Sequence, residues 1–224
     1  RYRWRPEQTT WWRRIDARGN AFVVTDRDNA AESVDVSGTL SMVTEGGDFL
    51  SVSASRERER LDADFDILDG VVIPAGDFWW PRYEVDLGTT TSRPWDIGAE
   101  VRWGDFYDGS RVDYELSANW RTSPNLTLGA DLELNDVDLP AGDFITRIVR
   151  GRVKVFFTPD LSWTSSAQYD SVSDTVGVNS RVRWIVRPGS EVFVVLNQAV
   201  DREESSFRVT DTTLTTKVGL TFRF

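Results

Sequence analysis

Apolar side chains in this chain recur at every second position, and helical spacing is nowhere sustained. Val112, Tyr114, Leu116, Ala118 and Trp120 alternate with Asp113, Glu115, Ser117 and Asn119. Leu126, Leu128, Ala130, Leu132 and Leu134 repeat the pattern, as do Val149, Gly151, Val153, Val155 and Phe157. Val176, Val178, Val182, Trp184 and Val186 follow, then Leu214, Thr216, Val218, Leu220, Phe222 and Phe224. Period two puts one apolar and one polar face on each segment, which is the signature of a strand. No apolar run approaches the roughly 18 residues of a membrane helix; the longest is Val192–Leu196.

Turn residues break the alternation in two classes that alternate along the chain. One is short and rich in Pro, Gly and Ser: 5–8, 44–48, 91–94, 122–125, 158–160 and 187–190. The other is more acidic and sometimes longer, near 26–30, 62–76, 105–110, 137–142, 171–174 and 201–206. Between them the sequence predicts about twelve strands: roughly 11–31, 30–44, 48–61, 77–90, 95–107, 109–121, 125–138, 143–157, 161–171, 175–187, 190–201 and 207–224. Sorted connections fit an antiparallel up-and-down transmembrane β-barrel, with short turns at one end and longer loops at the other. A soluble sandwich or lipocalin-like barrel also alternates, but does not sort its connections.

The chain is rich in Trp (10) and Phe (12). Trp and Tyr favour membrane interfaces, where a ring can bury its body and wet one edge. Trp11, Trp95, Trp120, Trp163 and Trp184 lie near the short turns, with Trp4, Phe49, Phe157 and Phe193. Trp79, Trp80 and Tyr107 lie near the loop ends, with Phe78, Phe106, Phe144 and Tyr169. Two aromatic belts are the expectation. Leu220, Phe222 and the terminal Phe224 read as the last-strand signal for barrel assembly. The start, without Met or leader pattern, reads as a piece of a longer chain, and residues 1–224 are expected to form one outer-membrane barrel domain.

Several function classes fall away. Without Cys there is no disulfide framework, Cys nucleophile or Cys metal site. Without His the commonest general base and metal ligand are missing. Glu203 with Glu204, and Asp62, Asp64, Asp66 and Asp69, read as solvated loop acids, with no glycosidase or calcium-loop spacing. The expectation is no enzyme, no cofactor and no metal. A net charge of −10 without a basic patch argues against nucleic acid.

The polar set is charged and uneven. Glu100, Asp113, Glu115, Asp131 and Glu133, with Arg102, come from 95–135; Arg150, Arg152, Lys154, Arg181, Arg183, Lys217 and Arg223 come later. A closed sheet would set an acidic wall beside or across from a basic one, lining a pore and biasing ion passage. Alternatively, cross-strand pairs such as Asp131–Arg150, and Arg102 with Asp113 or Glu115, fill a non-conducting lumen. One segment repeats: Ile73-Pro74-Ala75-Gly76-Asp77-Phe78 returns as Leu139-Pro140-Ala141-Gly142-Asp143-Phe144. Pro and Gly there suit a loop pinned to the sheet's rim, or a shared ligand contact.

Residues 102–109 (RWGDFYDG), 135–140 (NDVDLP), 168–174 (QYDSVSD) and 183–190 (RWIVRPGS), with Phe222-Arg223-Phe224, resemble the C-terminal barrel of the domain-of-unknown-function family 5916, the carbohydrate-binding family 9-like domain-containing proteins. The resemblance spans nearly the whole chain. It implies a Gram-negative outer-membrane location, a preceding carbohydrate-binding-like domain and further upstream strands, and it assigns no catalytic residue. The expected role is a membrane anchor or a pore for small solutes, serving a carbohydrate-binding module. Expected partners are outer-membrane lipids, the barrel-assembly machinery and carbohydrate or other small solutes. A surface receptor or scaffold with a salt-bridged lumen, making contact through 62–76, is the alternative; an outer-membrane hydrolase is the remotest.

Overall fold

A computed structural model describes residues 1–8, 11–203 and 206–221. Fifteen strands run in chain order: β1 (Tyr2–Trp4), β2 (Trp12–Thr25), β3 (Ala31–Thr44), β4 (Phe49–Leu61), β5 (Phe65–Leu68), β6 (Val71–Ile73), β7 (Gly76–Gly88), β8 (Trp95–Phe106), β9 (Gly109–Ser123), β10 (Leu126–Leu139), β11 (Gly142–Phe156), β12 (Leu161–Asp170), β13 (Thr175–Arg187), β14 (Ser190–Glu203) and β15 (Ser206–Leu220). Thirteen form one up-and-down sheet in sequence order; β5 and β6 pair only with each other. The twelve long strands are those the alternation predicts. The stub β1 and the β5–β6 hairpin are additions, because neither is long enough to carry a period.

The acidic connections are not generally long. Between β8 and β9 only 107–108 intervene, and between β10 and β11 only 140–141. Length asymmetry therefore rests on 62–75 alone, the segment holding the hairpin. Composition, not length, distinguishes the two ends.

The chain divides into two compact units. The first comprises 1–90, 98–116 and 134–145. Its β3–β4 register stacks hydroxyls on one face, Ser37 opposite Ser55, Thr39 opposite Ser53 and Ser41 opposite Ser51. The other face pairs Leu40 with Val52 and Met42 with Leu50. The second unit comprises 91–97, 117–133 and 146–224. There Ser166 lies opposite Asn179, and Asn179 opposite Asn197, on one face. Trp163–Val182, Val182–Val194 and Leu196–Leu214 mark the other.

The apolar face is bare. Leu40, Leu87, Ile97, Leu116, Val149, Val186 and Leu214 are exposed, and Leu116 keeps 49% of its surface. A folded water-soluble chain would bury such a face. Among the described residues the only buried hydrophobic side chains are Val71, Ile73, Trp80, Val137 and Leu139, and none belongs to that face.

Candidate functional site

The polar face of the first unit carries the densest arrangement of side chains. On β10, Asn135 shares the face of Val137 and Leu139, because alternate residues share a side. On β7 the same rule places Trp80 and Phe78 with Arg82 and Glu84. The β5–β6 hairpin lies over this end and buries Val71 and Ile73 against Val137 and Leu139. Leu61, Leu68, Phe78, Phe106, Tyr107 and Phe144 pack around them. Burying two branched aliphatic side chains contributes about 1.5–3 kcal/mol each, before the cost of ordering the hairpin.

Both copies of the repeated segment end in this cluster. Ile73 and Leu139 are buried at 1% and 4% exposure, and Phe78 and Phe144 pack on them. Gly142 has φ +152°, and a Cβ there would lie 3.3 Å from Val71 Cγ2. The second copy thus needs glycine for its backbone and for the hairpin's approach.

An aromatic layer lies alongside. Trp80 sits 4.8 Å from Tyr107 and 5.9 Å from Phe106 between ring centroids. Trp80 Nε1 donates to Glu57 Oε2 at 3.0 Å, and the Tyr107 hydroxyl to Glu59 Oε2 at 2.9 Å. Burial, with that carboxylate beside it, pushes the Tyr107 phenol up from its ordinary range. Two girdle expectations are thereby corrected. Trp80 is only 3% exposed and Tyr107 is half-buried in the cluster, so neither meets a lipid surface. Phe78, Phe106 and Phe144 share their position. Aromatic residues at a strand end carry no mark of which face they take when the alternation there is broken.

Other aromatic side chains keep to the apolar face. Trp79 stays on the apolar face, with Arg56 and Arg58 each 5.5 Å from its ring. Tyr83 and Trp103 stack across β7–β8 at 6.0 Å on that face, and Tyr114 is exposed on β9. These three are not singled out by the sequence reading; their parity in β7, β8 and β9 was the available signal for their face. In the second unit Trp95, Trp120 and Trp184 are exposed on the apolar face, and Trp163 shares it while donating to Ser180 Oγ at 2.8 Å. Trp11 is 67% exposed ahead of β2.

A layer of charge adjoins the aromatic cluster. Arg82, only 4% exposed, donates to Asp113 Oδ2 at 2.5 Å and to the Arg111 carbonyl at 2.7 Å. Arg111 donates to the other Asp113 oxygen at 2.5 Å. Arg102 pairs with Glu84 at 2.5 Å and reaches Glu100 at 3.5 Å. Asp113 therefore belongs to Arg82 and Arg111 rather than to Arg102. Asp86 faces Glu100 directly across β7–β8, a like-charge pair, and Glu115 is exposed nearby in sequence. Ser37, Thr39, Ser53, Ser55, Glu57, Arg82, Glu84 and Arg102 line a recess of about 250 Å³. Farther along, Arg1, Arg3 and Arg14 converge on buried Asp16.

The polar face of the second unit is more basic. Arg152 pairs with Asp131 at 2.9 Å, the place expected of Arg150. Arg150 instead donates to Gln168 Oε1. The two occupy alternate rungs on one face of β11, and Arg150 is engaged by Gln168 on β12. Arg183 pairs with Glu191 at 2.7 Å; Arg181 lies 5.7 Å from the Phe193 ring and Lys154 4.9 Å from that of Phe156. Lys217 is opposite Phe193, and Glu133 lies on the same side of β10 as Asp131. A recess of about 420 Å³ is lined by Arg150, Ser166, Gln168, Asn179 and Asn197 among others.

The loop acids do not gather. Asp62 pairs with Arg60 at 3.0 Å and Asp64 accepts the Ala75 N–H at 2.9 Å. Among the described residues no group of three His, Cys, Asp or Glu is placed to hold a metal. Leu220 ends β15, 58% exposed; Phe222, Phe224 and Glu204 lie outside the described residues.

No family model and no curated protein matches the chain. Among solved structures it is similar to the NanC porin in its rhombohedral crystal form, at 10% identity and a TM-score of 0.37, over 94% of this chain and 100% of that one. That similarity is too distant to speak to activity.

Proposed function

We propose that this chain is an integral outer-membrane β-barrel domain whose polar face lines a path for small solutes. One observation carries the reading: the strands leave their aliphatic face bare while turning Ser, Thr, Asn, Arg and carboxylates to the other side. Such a sheet is stable only where lipid covers one face and water or packed side chains fill the other. Exposed Trp79 toward one end of the apolar face, and Trp95, Trp120 and Trp184 toward the other, are what two membrane interfaces favour. Outer-membrane lipids are the first partner, and the last strand is the handle for the assembly machinery. In keeping with the family resemblance, the barrel serves a carbohydrate-binding module, and sugars are among the solutes to test.

Basic side chains on the second unit's polar face give the path its charge preference. Arg150, Arg181 and Lys154 have no carboxylate partner among the described residues. Ion-paired layers such as Arg82–Asp113–Arg111 support a second reading, a salt-bridged anchor that conducts nothing. Reconstitution into planar bilayers separates them. The path predicts single-channel steps whose selectivity moves toward cations in Arg150→Glu and Arg181→Glu. A folded, heat-modifiable barrel giving no steps would support the anchor.

A further inference from the structure

We infer that the β5–β6 hairpin is a displaceable plug over the loop end of the polar face. The inference rests on the solute-path reading and names what controls that path. Elsewhere this face is rich in hydroxyls, amides and charged side chains, which suit water. Among the described residues only the loop end carries a dry cluster, and half of that cluster's buried side chains, Val71 and Ile73, come from the hairpin.

The hairpin's attachment is suited to release. It forms its own two-stranded sheet and shares no ladder with the main one. Its roots are where β4 and β7 stop pairing, at Leu61 opposite Gly76. Pro74 follows β6 at once, and Asp64 holds Ala75 through a single side-chain bond. What keeps the hairpin down is side-chain packing, supplied from across the sheet by Val137, Leu139 and Phe144, the last two from the second copy of its own motif. Its other side is hydrated: Val72 is 39% exposed between buried Val71 and Ile73, and Asp66 opposite Val72 is exposed. Swinging about the two roots would bare Val137 and Leu139.

Three proteins are compared in planar bilayers: the natural chain, Ile73→Asp, and a chain with 63–74 replaced by a short Gly-Ser bridge. Ile73→Asp puts a charge into the docked face without touching a strand of the main sheet. Heat-shifted migration on gels confirms folding. A nitroxide on Val72→Cys, the only thiol in the molecule, reports hairpin mobility. The plug predicts conductance several-fold higher in both variants than in the natural chain, with the label loosened by Ile73→Asp. Equal, measurable conductance in all three overturns the plug and leaves the solute path standing. Silence in all three folded barrels overturns both.

Discussion

Ile73 and Leu139, the leading residues of two copies of one six-residue motif, are buried together at 1% and 4% exposure. One stands on the hairpin and the other at the end of β10, so each supplies part of the other's cover. Truncating either to Ala should cost about 2–5 kcal/mol of local stability. The double variant should cost less than the sum, since the second truncation opens a cavity already present. Proteolysis of the hairpin under native conditions reads the opening free energy for all three variants.

Among the described residues Arg82 is the most buried cation, and its guanidinium is held by Asp113 and a backbone carbonyl. Asp113→Leu leaves it buried beside Arg111 without its hydrogen-bonded carboxylate. That change should cost about 3–5 kcal/mol, whereas Arg82→Met with Asp113→Leu should recover a good part of the loss. Equilibrium unfolding in urea from lipid vesicles measures the difference.

Two glycines give opposite expectations. Gly104 has φ +145°, and a Cβ there would lie 3.1 Å from Arg82 Cα. Gly104→Ala should destabilise by roughly 1–3 kcal/mol through backbone strain and crowding. Gly151 meets nothing within 4 Å, so Gly151→Ala should be neutral or stabilise by up to about 1 kcal/mol. The same unfolding titration compares them.

Tyr107 titrates late because the phenolate would be buried, and because its hydroxyl donates to Glu59. Its folded value is raised, so its contribution to stability is complete below about pH 10, the ordinary tyrosine value, and is lost as pH rises beyond it. Ultraviolet titration of the natural chain minus that of Tyr107→Phe isolates the group. Glu59→Gln should bring it back toward the ordinary range while leaving part of the burial effect.

Strand number and face were legible because period two survives wherever one side meets an apolar phase. Val112 to Trp120 read correctly for that reason. The hairpin was not legible: Phe65–Leu68 and Val71–Ile73 are too short to show a period and sit among four aspartates. Charge partners were legible only to the nearest rung. Asp131 takes Arg152 instead of Arg150, and Arg102 turns back to Glu84, because side chains of that length choose among neighbouring rungs by slant and by rival partners. Trp80 and Tyr107 deceived for a related cause. An aromatic residue suits a lipid interface and a buried cluster equally well, and only parity along β7 and the hairpin's position separate the two.

The account stands on one sheet face meeting lipid and the other meeting water. The chain contains no cysteine, so single-cysteine variants at 176 through 184 along β13 can be labelled in proteoliposomes with a membrane-impermeant thiol reagent. The prediction is a two-residue rhythm: Gly177, Asn179, Arg181 and Arg183 positions react, while Val176, Val178, Val182 and Trp184 positions are protected until detergent strips the lipid. Uniform reactivity, or protection of the odd-numbered positions instead, would contradict it.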